Sequence, residues 1–286
     1  MMMKIRAYAK VNLALDVVRK RDDGYHDLEM IMAPITLHDL IYIHVIDHGI
    51  KIESNSKIVP TDEKNIMYKV AQLMQERFHL EKGVKMFVYK HIPMQAGLAG
   101  GSADGAAVIK AMNQLFHLNL SYEEMSDIGK EVGADIPFCV YEKTAFVQGV
   151  GEKLDFIETP FEAMLLLVKP KKGVSTKKAF QSLDLSQVVH QDCRKMKEGI
   201  INQDYQAVID NLQNTLEIPS IEMVPEIEDI KRKMIDLGFD GALMSGSGSC
   251  VFCMTRDKKI LNKGYEYFKN KYFFVRKTNI LNNENQ

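Results

Sequence analysis

The feature that most constrains this chain is a run of small residues that leads directly into a helical pattern. Residues 93–103 read Pro-Met-Gln-Ala-Gly-Leu-Ala-Gly-Gly-Ser-Ala. Gly97, Gly100 and Gly101 can adopt positive φ and lack a Cβ atom, so several backbone N–H groups can point into one concavity. The helix predicted to follow would add unpaired N–H groups and the positive end of its dipole. The pattern predicts a loop that holds a phosphate without a cationic side chain; a flexible turn before a core helix is the alternative.

The helix after this run is predicted from apolar residues at helical spacing, such as Val108 and Met112. Either Ser102 or Asp104 can cap it. Two better-known phosphate loops do not match the run. The P-loop pattern requires a Lys that does not follow Gly101, and the glycine spacing differs from that of the dinucleotide fingerprint G-x-G-x-x-G.

Composition places the chain among ordinary globular proteins. It has 286 residues, of which 46% are hydrophobic and 26% charged, and a formal net charge of -1. Nucleic-acid binders and proteins that bind anionic membranes usually show a basic excess, so neither partner is predicted. Signal-peptide features are absent, and no apolar run approaches the roughly 18 residues of a membrane span. We therefore expect a cytoplasmic protein, with a polar and frayed tail at residues 281–286.

The cysteines predict neither a disulfide framework nor a metal centre. Cys139, Cys193, Cys250 and Cys253 are few and irregularly spaced. Cys250 and Cys253 form one C-x-x-C in an apolar stretch, and no second Cys or His pair lies at zinc-binding spacing. We interpret Cys250 and Cys253 as structural residues of a buried strand and predict no protein-bound metal.

Residues 9–18 alternate in the manner of a half-buried strand. Lys10 and Asn12 share its polar face, and by themselves they would most simply be solvated. The Asp-Asp-Gly-Tyr-His turn at residues 22–26 follows. It places Tyr25 and His26 where an aromatic ring and an imidazole can stack on and hydrogen-bond to a planar ligand group.

Asp135 is predicted to stand at the start of a helix. It lies between Gly133 and Pro137, and proline is well suited to the first helical turn. From this context alone, a capping carboxylate is the simplest interpretation. The Ser121-Tyr-Glu-Glu124 sequence likewise predicts a capping box.

Three separated motifs resemble those of one family. Residues 93–103 resemble the second motif of the GHMP kinases, P-x-x-x-G-L-G/A-G-G-S-S/A. Residues 9–13 (Ala-Lys-Val-Asn-Leu) and 23–28 (Asp-Gly-Tyr-His-Asp-Leu) resemble the amino-terminal motif of the branch that acts on 4-diphosphocytidyl-2-C-methyl-D-erythritol, and residues 241–248 resemble its last motif. The resemblance covers nearly the whole chain.

This resemblance implies an α+β, two-domain GHMP kinase fold. It implies an N-terminal ATP-binding domain at residues 1–150, similar to ribosomal protein S5 domain 2, that carries the glycine-rich loop. A ferredoxin-like domain at residues 151–286 would contribute substrate-side contacts.

The resemblance also implies a reaction and the residues that perform it. The γ-phosphate of ATP would pass to a hydroxyl of 4-diphosphocytidyl-2-C-methyl-D-erythritol, giving the 2-phosphate, in non-mevalonate isoprenoid precursor synthesis. Asp135 would accept the hydroxyl proton, while Lys10 orients Asp135 and stabilises charge on the phosphate oxygens. Mg²⁺ would be bound mainly through the ATP phosphates.

The remaining implied site residues fall into three groups. The implied ATP-binding residues are Pro93, Met94, Gln95, Ala96, Gly97, Leu98, Ala99, Gly100, Gly101, Ser102 and Ala103. The implied substrate-binding residues are Asn12, Tyr25, His26, Thr176 and Phe180, with Tyr25 and Phe180 sandwiching the cytosine while His26 reads its edge. The implied support of the phosphate loop comes from Ser245, Gly246 and Gly248.

Several positions depart from the family pattern. Ala103 replaces a Ser, Gly105 an Ala and Ser249 a common Pro, and Glu142 and Lys143 stand where two glycines are usual. Two alternatives to the named activity therefore stay open. One is a GHMP small-molecule kinase with a drifted acceptor, and the other is a ligand-binding or regulatory relative with little turnover. We expect a monomer or weak homodimer.

Overall fold

The computed structural model describes residues 2–190 and 192–282. The chain forms two compact units, and each unit is built from three separate segments of the chain. The first unit comprises Met1–Ala9, Leu37–Ile92 and Ala99–Glu142; the second comprises Lys10–Thr36, Pro93–Leu98 and Lys143–Gln286. These units do not correspond to a single division of the chain near residue 150, and the predicted domain boundary stays a prediction.

The strands are β1 Met2–Lys20, β2 His26–Ile46, β3 Ile50–Ser54, β4 Gly83–Tyr89, β5 Ala145–Gly149, β6 Lys153–Phe156, β7 Met164–Lys169, β8 Gln213–Asn214, β9 Gly241–Met244, β10 Val251–Thr255 and β11 Phe274–Asn279. The α-helices are α1 Ile66–Arg77, α2 Gly100–Leu115, α3 Tyr122–Val132, α4 Ile136–Tyr141, α5 Thr176–Gln181, α6 Cys193–Ile201, α7 Tyr205–Asp210, α8 Glu217–Met223, α9 Glu226–Asp236 and α10 Lys258–Phe268.

The first unit packs α1 to α4 beside a short sheet. The second half of β2 pairs antiparallel with β4, from Leu40 opposite Tyr89 to Ile46 opposite Gly83, and β3 runs parallel to β4. Helix α2 packs against α1, α3 and α4. Its residues from Ala103 to Ile109 are all buried, so α2 is the central helix of this unit.

The start of α2 differs from the prediction. The helix begins at Gly100, after Ala99 in the left-handed conformation (φ 54°), and the Ala99 side chain provides no cap. Ser102 and Asp104 lie inside the helix, so the prediction that either one caps it is wrong. The small residues before Ser102 let the helix begin earlier, and the Asp104 carboxylate is bound by Lys90 instead.

Other helix starts follow their sequence signals. Asn65 Oδ1 accepts a hydrogen bond from the Met67 backbone at 2.9 Å. The Ser121 hydroxyl and the Glu124 carboxylate each accept from the other's backbone N–H, which confirms the capping box.

The second unit contains a four-stranded antiparallel sheet in the order β11-β7-β10-β9. Numbered within this sheet along the chain, the order is fourth, first, third, second, with helices between the first and second and between the third and fourth strands. This is the ferredoxin-like βαββαβ arrangement, which confirms that expectation. The interior of β7 is fully buried from Leu165 to Val168.

Strand β1 is buried on both faces from Ala7 to Val17. The expectation of a solvated polar face is therefore wrong. Within the second unit, β8 runs parallel to β1 with Gln213 opposite Ala14, and β5 pairs with the first half of β2. The two-residue strand β8 lies between helices α7 and α8.

Leu281, near the end of the described residues, packs against the rest of the second unit. Leu281 is buried and its N–H donates to the Pro34 carbonyl at 2.8 Å, so the frayed tail does not begin at that residue. The tail at residues 283–286 lies outside the described residues. All four cysteines are free, which agrees with the prediction of no disulfide framework, and all four are buried. In the described ranges, no helix combines the length and apolarity required to cross a membrane.

Candidate active site

Lys10 and Asn12 form a buried polar pair on β1. Lys10 Nζ donates to Asn12 Oδ1 at 2.6 Å, and Asn12 Nδ2 lies 3.4 Å from the Met30 sulfur. Their exposed fractions are 5% and 1%. A buried ammonium requires hydrogen-bonding partners, because burying a charge without them is costly. This pair is therefore a positioned group rather than part of a solvated face.

Ser245 connects this pair to the glycine-rich run. The Asn12 N–H donates to Ser245 Oγ at 3.4 Å, and Ser245 Oγ donates to the Gly97 carbonyl at 2.9 Å. The Lys10 N–H donates to the Leu98 carbonyl at 3.2 Å. Three segments distant in sequence thus meet within the second unit.

Close backbone approach explains two glycines of this meeting point. Gly97 has φ 73°, and a Cβ atom there would lie 1.8 Å from the Ser245 carbonyl oxygen. A Cβ on Gly246 would lie 3.0 Å from the Gly97 carbonyl oxygen and 3.4 Å from Lys10 Nζ. Contacts below about 3 Å are not sterically tolerated, so glycine is required at position 97 for space as well as for conformation.

Two residues that the sequence analysis missed hold the serine-glycine segment. Asn214 Nδ2 donates to the carbonyls of Met244 and Gly246, both at 2.8 Å, and Ser220 Oγ donates to the Ser247 carbonyl at 3.1 Å. Asn214 and Ser220 are buried. The signal was a polar triplet, Gln-Asn-Thr at 213–215, between apolar residues.

The run at residues 93–103 has the backbone features that an anion site needs. Met94, Gln95 and Gly101 are exposed, whereas Ala96, Leu98 and Ala103 are buried and anchor the run; Pro93, Gly97, Ala99, Gly100 and Ser102 are half-buried. Ala99 lacks a capping side chain, so the first-turn N–H groups of α2 are not capped by it. The first turn of α2 fits an anion such as a phosphate, because the first N–H groups of a helix have no intrahelical acceptor. ATP binding by residues 93–103 stays a prediction.

On the predicted acceptor side, the rings of His26 and Phe180 are in contact. Their centroids lie 5.1 Å apart, with 30° between the ring planes. Tyr25 lies outside this ring pair and is 66% exposed. Burial lowers the pKa of His26, and the charge of Lys20 lowers it further. The neutral imidazole that this favours can both donate and accept a hydrogen bond.

Thr176 is joined to the serine-glycine segment rather than to the ring pair. Thr176 Oγ1 and Ser247 Oγ are 2.8 Å apart, and Thr176 is the first residue of the helix that carries Phe180. Gly248 has φ 83°, and a Cβ there would lie 2.5 Å from the Met244 sulfur. Glycine is therefore also needed at the end of this segment.

Asp135 stands at the start of α4, and Pro137 lies in the first turn as predicted. Among the described residues, however, its side chain makes no hydrogen bond to the amides of α4, so the capping interpretation is wrong. Asp135 belongs to the first unit and Lys10 to the second.

The departures from the family pattern have local structural roles. Glu142 ends α4 with φ 54°, a conformation in which glycine is usual, and its carboxylate pairs with Lys110 at 2.9 Å. Lys143 pairs with Glu158 at the surface. Ser249 Oγ donates to the Lys172 carbonyl at 2.6 Å.

The α2 departures are also structural. A Cβ on Gly105 would lie 2.7 Å from Ile66 Cγ2, so glycine makes room for α1. Ala103 is buried, with 2% of its surface exposed.

Two family models match the chain: GHMP kinases N terminal domain at residues 65–143, and GHMP kinases C terminal at residues 196–273. The chain belongs to the GHMP kinase family, as the motifs predicted. It is 43% identical over 271 residues to a 4-diphosphocytidyl-2-C-methyl-D-erythritol kinase of Clostridium acetobutylicum, which covers 94% of this chain and 97% of the relative. It is 42% identical over 277 residues to the enzyme of that name from Exiguobacterium sibiricum, covering 95% and 96%.

A solved structure agrees with these relatives. The crystal structure of a 4-(cytidine 5'-diphospho)-2C-methyl-D-erythritol kinase matches with a TM-score of 0.84 and 27% identity, covering 98% of this chain and 100% of that chain. The predicted α+β GHMP kinase fold is thereby confirmed. GHMP kinases depend on ATP, so ATP is the expected nucleotide. Across the residues that the structure describes, no group of three or more His, Cys, Asp or Glu side chains is arranged to hold a metal ion.

Proposed function

We propose that this protein transfers the γ-phosphate of ATP to a hydroxyl of 4-diphosphocytidyl-2-C-methyl-D-erythritol, giving the 2-phosphate, in non-mevalonate isoprenoid precursor synthesis. The observation that carries the proposal is the buried Lys10 and Asn12 pair, which Ser245 joins to the Gly97 carbonyl. The relatives that share nearly the full length of the chain support the choice of acceptor.

The protein residues have two roles in this reaction. Phosphoryl transfer requires the hydroxyl to be aligned with the γ-phosphorus, its proton to be accepted and the developing charge to be neutralised. Asp135 accepts the proton, and the Lys10 ammonium, held by Asn12, stabilises charge on the oxygens. Mg²⁺, bound mainly through the ATP phosphates, would supply further neutralisation.

The acceptor is recognised through its cytidine group. An aromatic ring that stacks on a base contributes roughly 1–3 kcal/mol, and Phe180 is the half-buried ring suited to this contact. The ring centroids of His26 and Phe180 lie 5.1 Å apart, so His26 is placed to read the edge of a base that stacks on Phe180. The exposed ring of Tyr25 would cover the other face of the base. Thr176 and Asn12 would contact the remainder of the acceptor.

A competition assay tests the acceptor. We expect CMP and CDP to compete with the acceptor, and Phe180→Ala to weaken acceptor affinity by about tenfold to a hundredfold with little change for ATP. The control is Phe273→Ala, which removes an exposed ring of the same unit outside the ring pair and should leave both affinities unchanged.

The possible results separate the alternatives. Turnover with another alcohol, without competition by cytidine nucleotides, would identify a kinase with a drifted acceptor. Absence of turnover with any acceptor would favour a regulatory relative. Because Glu142, Lys143 and Ser249 have local structural roles, these departures do not themselves argue for a drifted acceptor. A cytoplasmic location and a monomer or weak homodimer remain our expectations.

A further inference from the structure

A buried cluster of three charged side chains lies at the start of α2 and has no role in the reaction described above. Lys90, just after β4, donates to Asp39 of β2 and to Asp104 of α2, the latter at 2.6 Å. Asp39 is fully buried, and 4% of Asp104 is exposed. Asp39 is fixed further by the backbone N–H groups of His91 and Ile92.

Asp104 is incompletely satisfied in this cluster. Its Oδ1 atom is buried and has no hydrogen-bond partner among the described residues. An unpaired buried carboxylate oxygen is costly, and protonation removes much of that cost. Burial raises the pKa of Asp104 to about 8; Lys90 opposes the shift, and the nearby Asp39 carboxylate adds to it. One ammonium therefore faces two carboxylates, of which only one is fully satisfied as an anion.

The cluster is next to the predicted phosphate site. A Cβ on Gly100, the first residue of α2, would lie 3.5 Å from Lys90 Nζ. With Asp104 protonated, the three side chains sum to zero charge, and with Asp104 ionised they sum to -1. A buried negative charge near a triphosphate opposes its binding, because water screens that repulsion poorly.

We propose that Asp104 is a positioning residue of the nucleotide site, and that the site binds a nucleoside triphosphate tightly only while the Asp104 carboxyl carries a proton. The proton is taken from or released to solvent, and no covalent bond to the nucleotide is involved. This inference rests on the proposed function. When Asp104 is protonated, Asp39 is the only carboxylate of the cluster that carries a negative charge. The positive charge of Lys90 near Gly100 is then less neutralised than when both carboxylates are ionised.

Few other groups can produce the same pH dependence. The turn of α2 that follows Asp104 faces α1 and α4 through Ile66, Val70 and Ile136, which carry no charge. The neighbouring titratable side chains are His38 and His91, whose rings lie 6.5 Å apart. Both histidines are retained in Asp104→Asn, so a pH dependence that they cause would persist in that variant.

The test is the affinity for Mg-ATP between pH 7.5 and 9.5, measured by calorimetry. We expect the dissociation constant of the wild type to rise about five- to thirty-fold across this window, as Asp104 loses its proton. Asp104→Asn keeps the shape and stays neutral, so its affinity should remain nearly constant. Asp127→Asn, which removes an exposed carboxylate of α3, should behave as the wild type.

A second measurement needs no variant of the cluster. At pH 9, binding of Mg-ATP by the wild type should take up a fraction of a proton, seen as a dependence of the binding enthalpy on the ionisation enthalpy of the buffer. Equal pH dependence in wild type and Asp104→Asn, or no proton uptake, would overturn this inference and leave the proposed function intact. No binding of Mg-ATP by the wild type at any pH would overturn both.

Discussion

At the scale of single residues, the burial of Lys10 follows from its position in the sheet and not from its residue type. A Lys two positions from an Asn on an alternating strand is usually solvated, yet here both are buried and hydrogen-bonded to each other. The alternation was present in the sequence, but the burial of the second face depends on residues far along the chain, such as Ser245 and Gln213. Periodicity within one segment carries no information about such partners.

Gly97 provides the first residue-scale prediction. Gly97→Ala places a Cβ 1.8 Å from the Ser245 carbonyl oxygen at a position with φ 73°, so backbone must move. We expect a loss of about 2–3 kcal/mol in the free energy of unfolding, together with weaker ATP binding, measured by denaturant titration and calorimetry.

Gly101→Ala is the matched control within the same run. Its Cβ would meet only Ile66 Cδ1, at 3.2 Å, and alanine favours the first turn of α2. Its stability should stay within about 1 kcal/mol of the wild type. Equal damage from both substitutions would contradict the steric role assigned to Gly97.

At the scale of elements, the helix starts show what local sequence determines. Ser121 caps α3 as predicted, and Asn65 caps α1, because a capping side chain acts on amides two or three residues away. The start of α2 was predicted too late, since Asp104 is drawn to Lys90, fourteen residues earlier in the chain. Local rules therefore held for these two caps and failed where a long-range ion pair competed.

Gly105 gives the element-scale prediction. An Ala in the helix interior is ordinarily about 1 kcal/mol more favourable than Gly. Here the added Cβ would lie 2.7 Å from Ile66 Cγ2 and 3.3 Å from Ile136 Cδ1, and overpacking typically costs 1–3 kcal/mol. We expect Gly105→Ala to lower the free energy of unfolding by about 1–2 kcal/mol.

Ile66→Leu tests the cause of this loss. Leu has nearly the same volume as Ile but no Cγ2 methyl, so the double variant Gly105→Ala/Ile66→Leu should recover at least half of the loss. Urea unfolding of the two single variants and the double variant measures the recovery. A stabilising Gly105→Ala variant would show that α1 yields to the added atom.

At the scale of the whole molecule, sequence reasoning reached the fold class through three motifs, and it could not reach the path of the chain. Each compact unit is built from separate segments of the chain. The two-residue strand β8 pairs with β1, which lies nearly two hundred residues earlier. Parallel pairing of so short a strand leaves no periodic signal. The ferredoxin-like sheet was predicted because the family resemblance implied its topology, which local patterns do not specify.

Lys10 and Asp135 lie in different units. The proposed function assigns both to one step, and the turnover of their variants tests that assignment. Asp135→Asn keeps the shape of the side chain and removes the proton acceptor. Loss of general-base assistance typically lowers kcat by about 10²–10⁴-fold, and the affinity for ATP should change little. Lys10→Ala should reduce kcat by a similar factor, because charge on the transferred oxygens is then less neutralised.

If the two residues act in one step, their effects cannot be independent. The double variant should then be much less impaired than the product of the two single losses, since removing either residue already disables the step in which the other acts. The measurement is kcat for wild type, both single variants and the double variant, with Asp127→Asn as the control for an uninvolved carboxylate of the first unit. If the two losses in kcat multiply in the double variant, Lys10 and Asp135 have separate roles. If the wild type turns over as slowly as Asp135→Asn with every acceptor, Asp135 is not a general base.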